Sequence, residues 1–197
     1  AGVAAAGIAA EFKPPPAQLG SFFSASTFGL LLGALLGGWL ADRRGRKSIL
    51  VVSVATFGVC SILTAFAHDI EQLTWARLFT GFGLGGAMPN LLALVTELSP
   101  EKSKRANLTL VYAAMPSGGA LVSLIAMVVP SSSWRLLFIA GGILPLVTAP
   151  LMARFLDESS VITRSTLQDL HPRAALPRRG MVQLLGDGRA LLSLLLW

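Results

Sequence analysis

Cysteine, histidine and charge are all scarce in this sequence, and each scarcity excludes a class of protein. Cys60 is the only cysteine, so no intrachain disulfide forms and no multi-cysteine zinc or iron–sulfur site can be built. The two histidines, His68 and His171, fall outside the long apolar runs, and no run holds a histidine or acid pair suited to general acid–base or metal chemistry. No cofactor or metal is expected, and a membrane-embedded enzyme is disfavoured. Only 13% of the 197 residues are charged, against roughly 25% in an ordinary soluble domain. With 53% hydrophobic residues and a mean hydropathy of +0.67, there is too little polar surface to cover a water-soluble globule.

What is present is a series of long charge-free runs. A transmembrane helix needs about 20 predominantly apolar residues. Ser21 to Ala41, Ile49 to Ala67, Leu78 to Thr96, Ala106 to Trp134 and Leu136 to Ala153 carry no charge at all. These runs predict an all-α membrane protein with helices at 21–41, 49–67, 72–97, 107–130 and 134–156. Ala1 to Ala10 is apolar and rich in small residues but too short to span. It lacks the basic flank of a signal peptide and is read as the second half of a first transmembrane helix, at 1–11. Residues 1–156 would then form one six-helix bundle. The polar stretch 157–188, with Pro172 and Pro177, reads as a linker, and residues 189–197 as the first turns of a seventh helix.

The net charge of +6 and the pI near 10.5 raise the question of a nucleic-acid partner. Of the 16 basic residues, all but Lys13, Arg77 and Arg135 fall between helices two and three, between four and five, or beyond the charge-free part of helix six. That alternation is the positive-inside pattern, which makes those loops cytoplasmic and leaves no basic face for RNA or DNA. The lipid bilayer is the partner that the charge distribution implies.

Several patterns lie on these helices. Gly29, Gly33 and Gly37 recur every four residues, which puts small residues on one face and lets a neighbouring backbone approach closely. The run continues as Gly38-Trp39-Leu40-Ala41-Asp42-Arg43-Arg44-Gly45-Arg46-Lys47. Gly45 suits a tight turn, and Asp42 at a helix C-terminus is unfavourable unless a cation such as Arg46 lies near it. Helix four contains Arg77-x-x-x-Gly81-x-Gly83-x-Gly85-Gly86. Gly81 to Gly86 also fits G-x-G-x-x-G, but a dinucleotide site needs a strand before it, and this segment is one continuous apolar span. Arg77 lies six residues past Glu71, roughly 9 Å into the helix. Two readings stand: snorkelling to the outer interface, or an intramembrane cation facing a cavity. Glu97 ends helix four and is either a solvated helix end or a partner for Arg46. Asn90 is the polar residue of helix four best placed for a cavity contact.

The segment from Gly38 to Lys47 matches G-x-L-A-D-R-x-G-R-K at every specified position, and so resembles the signature loop of the major facilitator superfamily. The Arg77 pattern resembles a second signature, associated with proton-coupled members. Met115-Pro116-Ser117-Gly118-Gly119 departs from the antiporter signature of helix five. The resemblance implies that Gly38, Asp42, Arg43, Gly45, Arg46, Lys47 and Glu97 form a cytoplasmic gate. Arg77 and Asn90 are the residues expected to contact the substrate or couple protons, and Gly29, Gly33, Gly37, Gly81 and Gly85 those expected to pack helices.

At a finer level, Gly83 to Glu97 and Trp134 to Leu146 resemble the aromatic acid:proton symporter family. The expected protein is then the N-terminal six-helix half of a transporter of the bacterial inner membrane, interrupted in helices one and seven. It would import hydroxyphenylpropionate- or benzoate-like carboxylates with protons, by alternating access against a C-terminal half that is absent here. Two features depart from that family. Its acidic first-helix motif, D-G-x-D, would fall before Ala1, and its P-E-S after helix six is Asp157-Glu158-Ser159 here. An importer of another organic acid or a sugar, and a transport-inactive fragment, are the alternatives.

Overall fold

The computed structural model describes residues 4–128 and 133–156. The expected linker at 157–188 and the helix start at 189–197 lie outside the described residues. The described chain is helical, with no strand: α1 (Ala5–Phe12), α2 (Pro16–Arg44), α3 (Arg46–Ala65), α4 (Ile70–Leu98), α5 (Lys104–Val128) and α6 (Trp134–Phe155). The last five are each long and apolar enough to cross a membrane.

Local chemistry moves several helix ends away from the charge-free limits. α2 begins at Pro16, five residues before the expected 21, because proline at N1 gives up an N–H that is unpaired there anyway. α4 begins at Ile70 rather than 72, because the Asp69 carboxylate accepts a hydrogen bond from the Gln72 N–H at 2.7 Å. The loop expected between helices two and three shrinks to one residue. Asp42, Arg43 and Arg44 complete α2, and Arg46 and Lys47 open α3. Absence of charge marks where lipid must be, whereas a helix continues until a cap or a glycine stops it.

α2, α4, α3 and α6 pack in that spatial order, with α1 across one end. α2 and α4 run parallel, since Gly29 lies against Leu78, Gly33 against Phe82 and Gly37 against Gly86, in constant register. α3 is antiparallel to both α4 and α6. Gly83 abuts Ser53 and Phe57, and Gly58 meets Gly142.

Two small cores fix the ends of the bundle. Near the α3–α4 turn, Ile8, Phe22, Leu73, Trp134 and Phe138 cluster with Ala65 and Ala67. At the opposite end Leu50, Ala87 and Leu94 do so. α5 touches mainly α4, none of its residues 104–127 is buried, and much of α2 is exposed through Phe28, Leu31 and Leu35. These apolar faces suit hydrocarbon rather than water.

Candidate functional site

Two polar assemblies and one isolated cation stand out in this apolar bundle. The first lies where α2, α3 and α4 meet at the basic end. Gly45 has φ 104° and ψ 137°, a conformation L side chains rarely adopt, and this one residue reverses the chain. The turn places Arg46 on the first turn of α3, where its guanidinium forms an ion pair with Glu97 at the end of α4. Asp42, whose side chain is 74% exposed, lies 3.9 Å from the same guanidinium. Arg43 instead lies 3.9 Å over the Trp39 ring on its own helix. Lys47 occupies the same turn as Arg46. A side chain at Gly38 would meet nothing within 4 Å, so packing among the described residues does not require that glycine.

The α2–α4 seam connects this end to the middle of the bundle. A Cβ at Gly29, Gly33, Gly81 or Gly85 would collide with the backbone of the facing helix, and one at Gly37 would lie 2.7 Å from the Gly86 Cα. Asn90 belongs to this seam. Its amide donates to the carbonyl oxygens of Gly86, at 2.7 Å, and Gly37, at 3.4 Å. Asn90, the polar residue expected to contact a cavity, is buried with its amide nitrogen donated to these backbone acceptors. A polar residue in hydrocarbon pairs with whatever acceptor is near, and the glycines bring the carbonyl oxygens within reach.

Arg77 is the isolated cation. Only 7% exposed, it does not snorkel, and its carbon Cζ lies 4.3 Å from the Phe138 ring centroid and 5.5 Å from that of Phe22. Nε and Nη2 are buried without a hydrogen-bond partner among the described residues. Those two nitrogens share one edge of the guanidinium plane, the edge that meets a carboxylate through two parallel hydrogen bonds. An anion that reached this edge would displace no hydrogen-bond partner among the described residues.

The second polar assembly, at the other end of the bundle, went unread in the sequence. Glu11 accepts from the Trp134 indole N–H at 2.7 Å and from the Arg135 guanidinium at 2.7 Å through each oxygen. Arg135 also donates from Nε to the Ala65 carbonyl oxygen, at 3.0 Å, and from Nη2 to that of Ala67, at 3.3 Å. Glu11 lies near the end of α1, outside the five long spans. One signal was available. Glu11 and Arg135 are opposite charges on the same, charge-poor side of the bundle.

The geometry and the motifs coincide with a family match over the whole sequence, residues 1–197, to the model described as Major Facilitator Superfamily. The chain belongs to the major facilitator superfamily. It is therefore a multi-pass membrane protein, and its described bundle carries both of the signatures quoted above. It is 47% identical over 161 residues to the 3-(3-hydroxy-phenyl)propionate transporter of Escherichia coli, covering 82% of this chain and 40% of that protein. It is 38% identical over 162 residues to the 4-hydroxybenzoate transporter PcaK of Pseudomonas putida, covering 81% and 36%. A probable sulfoacetate transporter of Cupriavidus necator is 32% identical over 173 residues, covering 85% and 40%. The chain thus spans about two fifths of the length of these superfamily relatives.

Proposed function

We propose that the chain is the N-terminal half of a secondary active transporter that imports aromatic carboxylates with protons by alternating access. The observation that carries this reading is Arg77, a buried guanidinium whose bidentate edge has no partner among the described residues. Leaving a charge in a low-dielectric interior costs several kcal/mol unless something pairs with it. A carboxylate, from a substrate or from an acid that takes up and releases a proton, matches that edge. The relatives named for hydroxyphenylpropionate and hydroxybenzoate support a substrate of this kind. Protonation of the partner acid would weaken the pairing, and that is how proton movement is linked to substrate release.

In this reading the protein sits in the bacterial inner membrane with its basic end and linker in the cytoplasm, in accord with the positive-inside rule. Asp42, Arg46 and Glu97 then latch the cytoplasmic ends of α2, α3 and α4 in one conformation and part in the other. The open faces of α2 and α5 support a C-terminal half packed against them, with substrate bound between the halves near the midplane. Asn90 lies beside that path and acts on it through the α2–α4 seam.

The test is uptake of 3-(3-hydroxyphenyl)propionate by cells producing the full-length protein. Arg77→Ala is expected to abolish proton-linked uptake, and Arg77→Lys, which keeps the charge but loses the planar fork, to reduce it strongly. Unchanged uptake by Arg77→Ala would overturn the reading. The sulfoacetate relative favours a second reading, in which the substrate is another small organic anion. Competition by sulfoacetate but not by hydroxybenzoate or benzoate would select it.

A further inference from the structure

The proposed carboxylate contact uses one edge of the Arg77 guanidinium, and the surroundings account for the rest of the group. Phe22 from α2 and Phe138 from α6 both lie within cation–π reach of the arginine from α4. Both rings are buried in the same cluster. An aromatic face attracts a cation through its quadrupole but supplies no hydrogen-bond acceptor in the guanidinium plane. It therefore stabilises the charge and leaves the N–H edges free, which a permanent acidic neighbour would not do.

Phe138 is itself held from behind. The Trp134 ring meets it edge to face at 5.7 Å and 79°, and the Trp134 indole donates to Glu11. Glu11 is tied to Arg135, which grips the Ala65 and Ala67 carbonyl oxygens at the end of α3. A continuous line of contacts runs from this polar clasp through Trp134 and Phe138 to the buried guanidinium.

We propose that Phe138 and Phe22 are positioning residues that hold Arg77 charged, with its buried bidentate edge kept unpartnered for a carboxylate, and that the Glu11–Trp134–Arg135 clasp keeps Phe138 in register. The inference rests on the reading of Arg77 as the carboxylate contact, and it assigns the specificity of that site to two further side chains. Leucine fills much of the volume of phenylalanine without the quadrupole, so Phe138→Leu separates ring electrostatics from space filling.

The experiment measures KM and Vmax for 3-(3-hydroxyphenyl)propionate uptake in cells producing the full-length protein, normalised to the amount of transporter in the membrane. Phe138→Leu is expected to raise KM about tenfold, the scale of a desolvated cation–π contact, and Phe138→Tyr to stay within about twofold of wild type. Phe22→Leu, whose ring is more distant, shifts KM in the same direction by less, and it decides the matter if Phe138→Leu does not reach the membrane. If the leucine variants lower only the amount of protein and leave KM unchanged, the rings are packing alone and the proposal is wrong. If Arg77→Ala transports normally, the reading of Arg77 fails instead, whatever the rings do.

Discussion

Two arginines one helix apart take opposite solutions to the same electrostatic problem. Arg46, at the bundle end, has a side chain 25% exposed and pairs with Glu97 across 51 residues of sequence. Arg77 is buried, faces two aromatic rings and keeps one edge without a partner among the described residues. The depth of Arg77 was legible from its distance past the last acid, because rise per residue converts sequence position into depth. The rings around it were not, since Phe22 and Phe138 come from helices whose facing sides no local pattern specifies. The Arg46–Glu97 pair predicts non-additivity. In transport assays of the full-length protein, Arg46→Ala and Glu97→Ala combined should cost clearly less than the two separate losses summed, with a coupling of about 0.5–3 kcal/mol. Purely additive losses would remove the latch from the proposed mechanism.

Glycines decide which helices can touch at the scale of the element. The four-residue spacing of Gly29, Gly33 and Gly37 announced a close contact, and Gly81 and Gly85 carry the same spacing on α4. That these two faces meet each other, in parallel and in register, depends on the path of α3 between them. The second set of contacts, Gly83 against Ser53 and Phe57 and Gly58 against Gly142, escaped notice because the facing residues come from other helices and no pattern within one helix names them. The space around each glycine separates these roles. Gly33→Val would drive a side chain into the Phe82 backbone and should destabilise the protein by at least the about 1–3 kcal/mol typical of overpacking. A Cβ at Gly118 on α5 meets nothing within 4 Å among the described residues, and the effect of Gly118→Val should remain within the roughly 0.5 kcal/mol of an ordinary surface change. Thermal unfolding of the two variants in the same detergent compares them. An equal loss would place a packing contact at Gly118 as well.

Charge at the two ends of the bundle sets the whole molecule in the bilayer. Arg43, Arg44, Arg46, Lys47, Lys102, Lys104 and Arg105 share one end, while Glu11, Asp69, Glu71 and Arg135 lie at the other. The proposed orientation predicts that a cysteine introduced as Glu101→Cys, in a Cys60→Ser background, is labelled by a membrane-impermeant maleimide only after the inner membrane is opened. Asp69→Cys should react from outside. The reverse pattern would invert the topology and the sidedness of the latch. Fold class, span number and the location of the signature motifs followed from sequence, because hydrocarbon excludes charge and hydropathy is a local property. The α1 clasp on Trp134 and Arg135, the pairing of Asn90 with glycine carbonyl oxygens and the aromatic bracket on Arg77 each join helices far apart in the chain. Such contacts depend on which faces the helices present to one another. That choice is made by shape complementarity among residues 53 to 124 positions apart, and only the assembled bundle specifies it.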